Sequence, residues 1–176
     1  MAAKLRSPRY AVWADGSAYQ NPGPGGYAAL IVARGAAADD KLVSAVSGFH
    51  PFTTNIRMEL TGIIAALDRI PRHAALAVYT DCESVAAGLA GRTRRLAHQD
   101  LWEQYEAARG TRLITTRWIS SRAGLPWHRQ ADALARRMTQ EGYHGGHCVP
   151  VDLLLGPDAP HLREARASTP LLAPAH

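Results

Sequence analysis

The chain has 176 residues, 47% hydrophobic and 20% charged, which is one domain's worth of ordinary globular composition with enough apolar material for a real core. It lacks an 18-residue apolar run, the start MAAKLRSPR has no apolar centre, and Cys82 and Cys148 form no framework, so the expectation is a reduced, cytoplasmic chain with no membrane span and no signal peptide. The net charge of +5, carried by 18 Arg and 2 Lys, permits a polyanionic partner without demanding one and supplies planar groups that grip phosphate well.

Tyr10 to Ala18 predicts a first strand, and Asn21 to Gly26 (NPGPGG) a turn, because Asn-Pro followed by glycines is loop chemistry. Tyr27 to Ala33 and Leu42 to Phe49 predict a second and third strand in an antiparallel meander. Thr54 or Asn55 can cap a helix reaching to about Ile70, with Leu60, Ile63, Ile64 and Leu67 at helical spacing and Pro71 as the stop. Ala75 to Thr80 is a short buried strand and Glu83 to Leu89 a short helix. Gln99 to Arg109 is a third helix, Leu113 to Ile119 a fifth strand, and Pro126 opens a last helix to about Glu141. The order β-β-β-α-β-α-α-β-α gives an α/β class: a mixed five-stranded sheet, its first three strands antiparallel, with helices on both faces. After Gly142 the composition changes, and the last 34 residues hold five of the eleven prolines. Residues 1–142 therefore read as the body and 143–176 as a tail or lightly packed extension, in which Val149 to Leu155 could dock as an extra strand.

Four acids stand at the edges of these elements in apolar or small-residue settings: Asp15 in YAVWADGS, Glu59 in RMELTGII, Asp81 in AVYTDCES and Asp132 in HRQADALA. A carboxylate there needs a partner. Any one alone is explained by capping or solvation. Four together point to a shared hard cation such as Mg²⁺ or Mn²⁺. Asp15 and Asp81 close the first and fourth strands, and strand ends of α/β sheets are where functional groups gather.

The motifs DGS…NPGPGGYAA (Asp15 to Ala29), TTNxRMEL (Thr53 to Leu60), TDxxxV (Thr80 to Val85) and the W…AG-P…AD-LA pattern (Trp118 to Ala135) resemble the type 1 ribonucleases H, over roughly Tyr10 to Gln140. The resemblance implies a ribonuclease H-like fold. It also implies a metal-dependent endonuclease that cuts the RNA strand of RNA–DNA hybrids with two divalent ions and leaves 5′-phosphate and 3′-hydroxyl ends. Asp15, Glu59, Asp81 and Asp132 match the catalytic, metal-holding acids. The backbone of Gly16 and the side chains of Asn21 and Asn55 match substrate contacts in the minor groove, where 2′-hydroxyls mark RNA. Thr54 matches a DNA-phosphate contact. Asn21 as a turn former, and Thr54 and Asn55 as helix caps, are equally good readings and are compatible with these roles. Arg57 reads as a brace for the segment before Glu59.

The chain departs from the family pattern at several positions. Arg122 stands where the family has a loop histidine; it is expected to act on the phosphate, since arginine cannot serve as a base at neutral pH. His128 occupies a position that is often Asn; one reading is an imidazole added near the site, and the default reading is a surface histidine at a helix start. Ile56, Glu83 and Phe52 replace residues of hybrid-binding positions. Gly91 to His98 replaces a longer basic protrusion, with Arg92, Arg94 and Arg95 read as a solvated run. Trp102 and Trp118 are expected in the core and Trp127 exposed near the site. His144, His147 and Cys148 lack a fourth ligand for zinc. The alternative to an enzyme is a non-cleaving hybrid- or RNA-binding module of the same fold. A monomer is expected in either case.

Overall fold

The structure, a computed structural model, describes residues 8–35 and 39–144. Five strands form one sheet in the order β3-β2-β1-β4-β5, with β1 Tyr10–Ala18, β2 Gly23–Ala33, β3 Lys41–Thr53, β4 Ala75–Thr80 and β5 Leu113–Trp118. The pairs β1–β2 and β2–β3 are antiparallel; β1–β4 and β4–β5 are parallel. The helices are α1 Asn55–Leu67, α2 Glu83–Leu89, α3 Gln99–Arg109 and α4 Pro126–Tyr143.

Strand β1 is central and buried on both faces, and alternation along it divides the core in two. Val12 and Ala14 join Leu60, Ile63 and Leu67 of α1, with Trp102 and Tyr105 of α3 behind them. Ala11 and Trp13 face the other way, onto Ala131, Leu134, Ala135 and Met138 of α4. The expected mixed sheet with helices on both faces is therefore present.

The element limits differ from expectation in three informative places. Strand β2 begins at Gly23, so Gly25 and Gly26 belong to the strand and not to a turn. Their role is clearance: a β-carbon on Gly26 would lie 2.6 Å from the Ala135 carbonyl oxygen, so only glycine lets α4 lie against this strand. Strand β3 runs on to Thr53 through Pro51, which an edge strand tolerates because a missing N–H there need cost no ladder bond. Helix α1 ends at Leu67, short of Ile70, because Arg69 and Ile70 donate to the carbonyls of Ala66 and Leu67 and tighten the chain into a three-residue turn.

Arg112, which nothing in the sequence singled out, closes the ends of two helices. Its buried guanidinium donates to the carbonyls of Leu67, the last residue of α1, and Ile70 just beyond it, and to those of Ala108 and Arg109 at the end of α3. A cation at two helix C-termini meets both the orphan carbonyls and the negative ends of the dipoles. This tie holds α1, and with it Glu59, against the sheet. Among the described residues no helix is long and apolar enough to cross a membrane. The proposed tail segment Val149 to Leu155, with His147 and Cys148, lies outside the described residues.

Candidate metal centre

Parallel pairing of β1 and β4 puts their C-terminal ends side by side. Trp13 is opposite Tyr79 in the register, and the two rings stack with centroids 4.0 Å apart. Asp15 and Asp81 each lie two residues further on, so both emerge at the same end of the sheet. Helix α1 brings Glu59 to this point because β1 has a glycine there. A β-carbon on Gly16 would sit 2.3 Å from the Glu59 amide nitrogen and 2.6 Å from the Asn55 carbonyl oxygen. Helix α4 contributes Asp132 and, one turn earlier, His128. The four acids come from four separate segments and line one open cleft of about 620 Å³.

Each carboxylate is held differently. Glu59 is buried; its Oε1 accepts from the Thr80 hydroxyl in a short hydrogen bond, and the Gly16 amide also favours its charged form. Burial outweighs both and, with the Asp81 charge, raises Glu59 to about 7. Asp15 is 8% exposed and accepts at Oδ1 from the Gly16 amide at 2.8 Å. Its pKa is pushed up to about 8, first by burial, then by the Glu59 charge, a hydrogen bond with Asp132 and the charges of Asp81 and Asp132. Asp81 remains partly exposed, with Oδ2 3.6 Å from Nε2 of His128. Its backbone carbonyl accepts from the Trp118 indole N–H at 3.1 Å, which ties the end of β5 to the loop that carries the acid. Asp132 faces solvent and pairs through Oδ1 with Nε of Arg136, 2.6 Å away and one turn along α4.

The residues expected at the substrate side have local structural tasks. Thr54 is the N-cap of α1, its hydroxyl oxygen accepting from the Arg57 amide at 3.3 Å. Asn21 reaches from the β1–β2 hairpin and accepts at Oδ1 from the Asn55 amide at 3.1 Å. Gly16 and Asn55 line the cleft, while Asn21 and Thr54 brace it from behind. Arg57 makes a two-point ion pair with Asp100 at the start of α3, so it does brace the segment before Glu59.

Four expectations need correction. His128 is not a surface residue: it is 5% exposed, since the first turn of α4 directs it inward between the sheet and the cleft. The sequence signal was its spacing of four from Asp132, which puts both on one helix face. Trp118 is not core: it is 54% exposed, at the end of the edge strand β5. Trp127, expected exposed, is half-buried against the α4 side of the core. Arg95 is not a solvated charge: it lies over the Trp102 ring at 4.3 Å, pairs with Glu106 and donates to the Gly88 carbonyl. Arg92 and Arg94 are exposed as expected. Arg122 is exposed in a single 3₁₀ turn, Ser121–Ala123; Ser121 lines the cleft and Arg122 does not.

This donor set fits hard divalent cations. It has four carboxylates, and burial together with the neighbouring negative charges drives two of them toward protonation, which a bound cation would oppose.

Comparison with known proteins gives a consistent result. The RNase H family model matches residues 7–140. The Ribonuclease H of Granulibacter bethesdensis is 38% identical over 144 residues, covering 74% of this chain and 92% of its own. The N-terminal RNase H domain of Rv2228c from Mycobacterium tuberculosis superposes with a TM-score of 0.66 at 25% identity, over 79% of this chain and 99% of that one. LC11-RNase H1, solved in complex with an RNA/DNA hybrid, shares the fold with a TM-score of 0.62 at 17% identity, over 76% and 99%.

The elevated pKa of Asp15 fixes the sign of a stability effect. Its folded value lies above the unfolded one, so the folded protein binds the extra proton and the stabilisation is lost as pH rises from about 4 through about 8. Without metal, Asp15→Asn should therefore melt above the wild type, with the gap widening toward pH 8 by roughly 5 kcal/mol at most. Thermal unfolding in EDTA from pH 5 to 9 measures this, and a gap that is constant or shrinks with pH rules out the buried-repulsion account.

Proposed function

The chain belongs to the RNase H family, and we propose that it is a metal-dependent endonuclease hydrolysing the RNA strand of RNA–DNA hybrids, leaving 5′-phosphate and 3′-hydroxyl ends. The observation that carries this reading is the meeting of Asp15, Glu59, Asp81 and Asp132 in one open cleft, at an electrostatic cost that has no structural return. A binding module would have no use for such a cluster. The hybrid complex of LC11-RNase H1, a protein of the same fold, supports the choice of substrate.

Asp15, Glu59, Asp81 and Asp132 would hold two divalent ions, Mg²⁺ with Mn²⁺ able to replace it, which when bound supply charge neutralisation at the scissile phosphate and a water acidic enough to attack it. The side chains around them keep this arrangement in place. The Thr80 hydroxyl donates to Glu59 and holds it in one orientation before any ligand arrives. Asp132 already borders the cleft, and its half-exposed pair with Arg136 is one it can give up to a cation.

The Gly16 backbone and Asn55 would meet the minor groove at the cleft, with Asn21 holding Asn55 in position. The Thr54 hydroxyl accepts from the Arg57 amide and keeps its own proton to donate to a DNA phosphate. Arg122, beside the cleft-lining Ser121, would attract the scissile phosphate or its product as a fixed cation. One chain contributes every acid, so the working unit would be a monomer. The free Cys82 fits the reducing cytoplasm as the place of action.

A labelled hybrid, duplex DNA and duplex RNA, each with Mg²⁺, Mn²⁺ or EDTA, tests the reading. Only the RNA strand of the hybrid should be cut, and only with a divalent ion. Asp81→Asn should lower turnover by roughly 10³-fold or more while hybrid affinity is kept or improved, because repulsion toward phosphate falls. Hybrid binding by the wild type without any product would establish a binding module instead. For Arg122, the Ala variant should lose about tenfold in turnover with little change in affinity, and at saturating metal the wild type should show no activity limb near pH 6–7 of the kind a catalytic imidazole produces. Wild-type turnover in Arg122→Ala would remove that residue from the mechanism.

A further inference from the structure

His128 is the polar group of the cleft that the carboxylate scheme leaves unused. Its side chain is 6% exposed, and Nε2 is buried with no hydrogen-bond partner. A buried ring nitrogen in that state has lost its water without regaining a hydrogen bond. The ring faces acids: Nε2 is 3.6 Å from Asp81 Oδ2, beyond hydrogen-bond range, and the Asp15 and Asp132 charges also act on it.

The separations are those of ligands sharing an ion. Nε2 of His128 and one oxygen from each of Asp15 and Asp81 all lie within 4.8 Å of one another. Ligands at about 2.1 Å from an octahedral ion are about 3 Å apart when adjacent and about 4 Å apart when opposite. Helix α4 delivers the nitrogen and a further oxygen from one face, since His128 and Asp132 are four residues apart. A cation placed there would partner the orphaned nitrogen and the two facing carboxylates together.

We propose that His128 is a direct nitrogen ligand of a divalent ion shared with Asp15 and Asp81, so that this mixed nitrogen–oxygen centre, while admitting Mg²⁺, binds Mn²⁺ more tightly than carboxylates alone would. Mg²⁺ takes oxygen ligands and dehydrates reluctantly, whereas transition ions accept imidazole. The commoner Asn at this position offers only an amide oxygen. The inference rests on the metal-dependent reading proposed above.

The test uses the full-length chain labelled with ¹⁵N in its eight histidines, loaded with Mn²⁺ alone and read by pulsed electron–nuclear double resonance, without nucleic acid. The wild type should show a directly bonded ¹⁵N coupling that is absent from both His128→Asn and His128→Gln. Titration followed by electron paramagnetic resonance should show Mn²⁺ affinity weakened about tenfold in both variants, and Mg²⁺ affinity, by competition, changed less than about threefold. Mn²⁺ bound to the wild type with no ¹⁵N coupling, or a coupling that survives in either variant, overturns the role of His128 and leaves the carboxylate centre standing. Failure of the wild type to bind Mn²⁺ overturns both.

Discussion

Repulsion between carboxylates that the fold has removed from water is the interaction on which the rest of this molecule turns. Asp15 and Glu59 are both almost fully buried, and Asp81 and Asp132 stand beside them. Water would screen four such charges at little cost; the interior does not. Burial first, and the neighbouring negative charges with it, hold Asp15 and Glu59 above the usual carboxylate range. A protein gains nothing in stability from this arrangement, so the arrangement is evidence of use. Positive charge is the direct remedy, and a dication delivers more of it per site than an arginine.

The scaffold supports that strained group on rigid elements and spends small residues to do so. Gly16 allows α1 to touch β1, which sets Glu59 beside Asp15. Gly26 allows α4 to lie on β2, which brings Asp132 and His128 over the same strand end. Arg112 closes two helix ends, and Arg57–Asp100 joins α1 to α3 at the other end of that pair. Trp118 reaches from the edge strand to hold the Asp81 backbone. Each fixes the direction from which a carboxylate enters the cleft.

Much of this could be read from the sequence because it is local. Alternation in β1 and β4, helical spacing in α1 and α4, and Pro126 at the first position of α4 each follow from neighbours in the chain. The four acids were legible as polar intrusions in those patterns. What was not legible depends on tertiary clearance. Gly25 and Gly26 look like a turn until α4 is laid against them. Trp118 looks like core until β5 proves to be an edge. His128 looks like a surface helix start until the angle of α4 turns it inward, and Arg112 looks like any exposed arginine until two helix ends meet at it. Arg95 reads as a loop charge until its guanidinium is found lying on Trp102.

The central claim is that the folded chain holds protons in its carboxylate cluster at neutral pH and exchanges them for dications. Calorimetric titration with Mg²⁺ in buffers of different ionisation heat counts the protons released on binding. The account predicts release of about one proton per chain at pH 7, fading to none by about pH 9, with affinity rising over the same interval. Binding that releases no protons at pH 7 and is equally tight from pH 6 to pH 9 would contradict it.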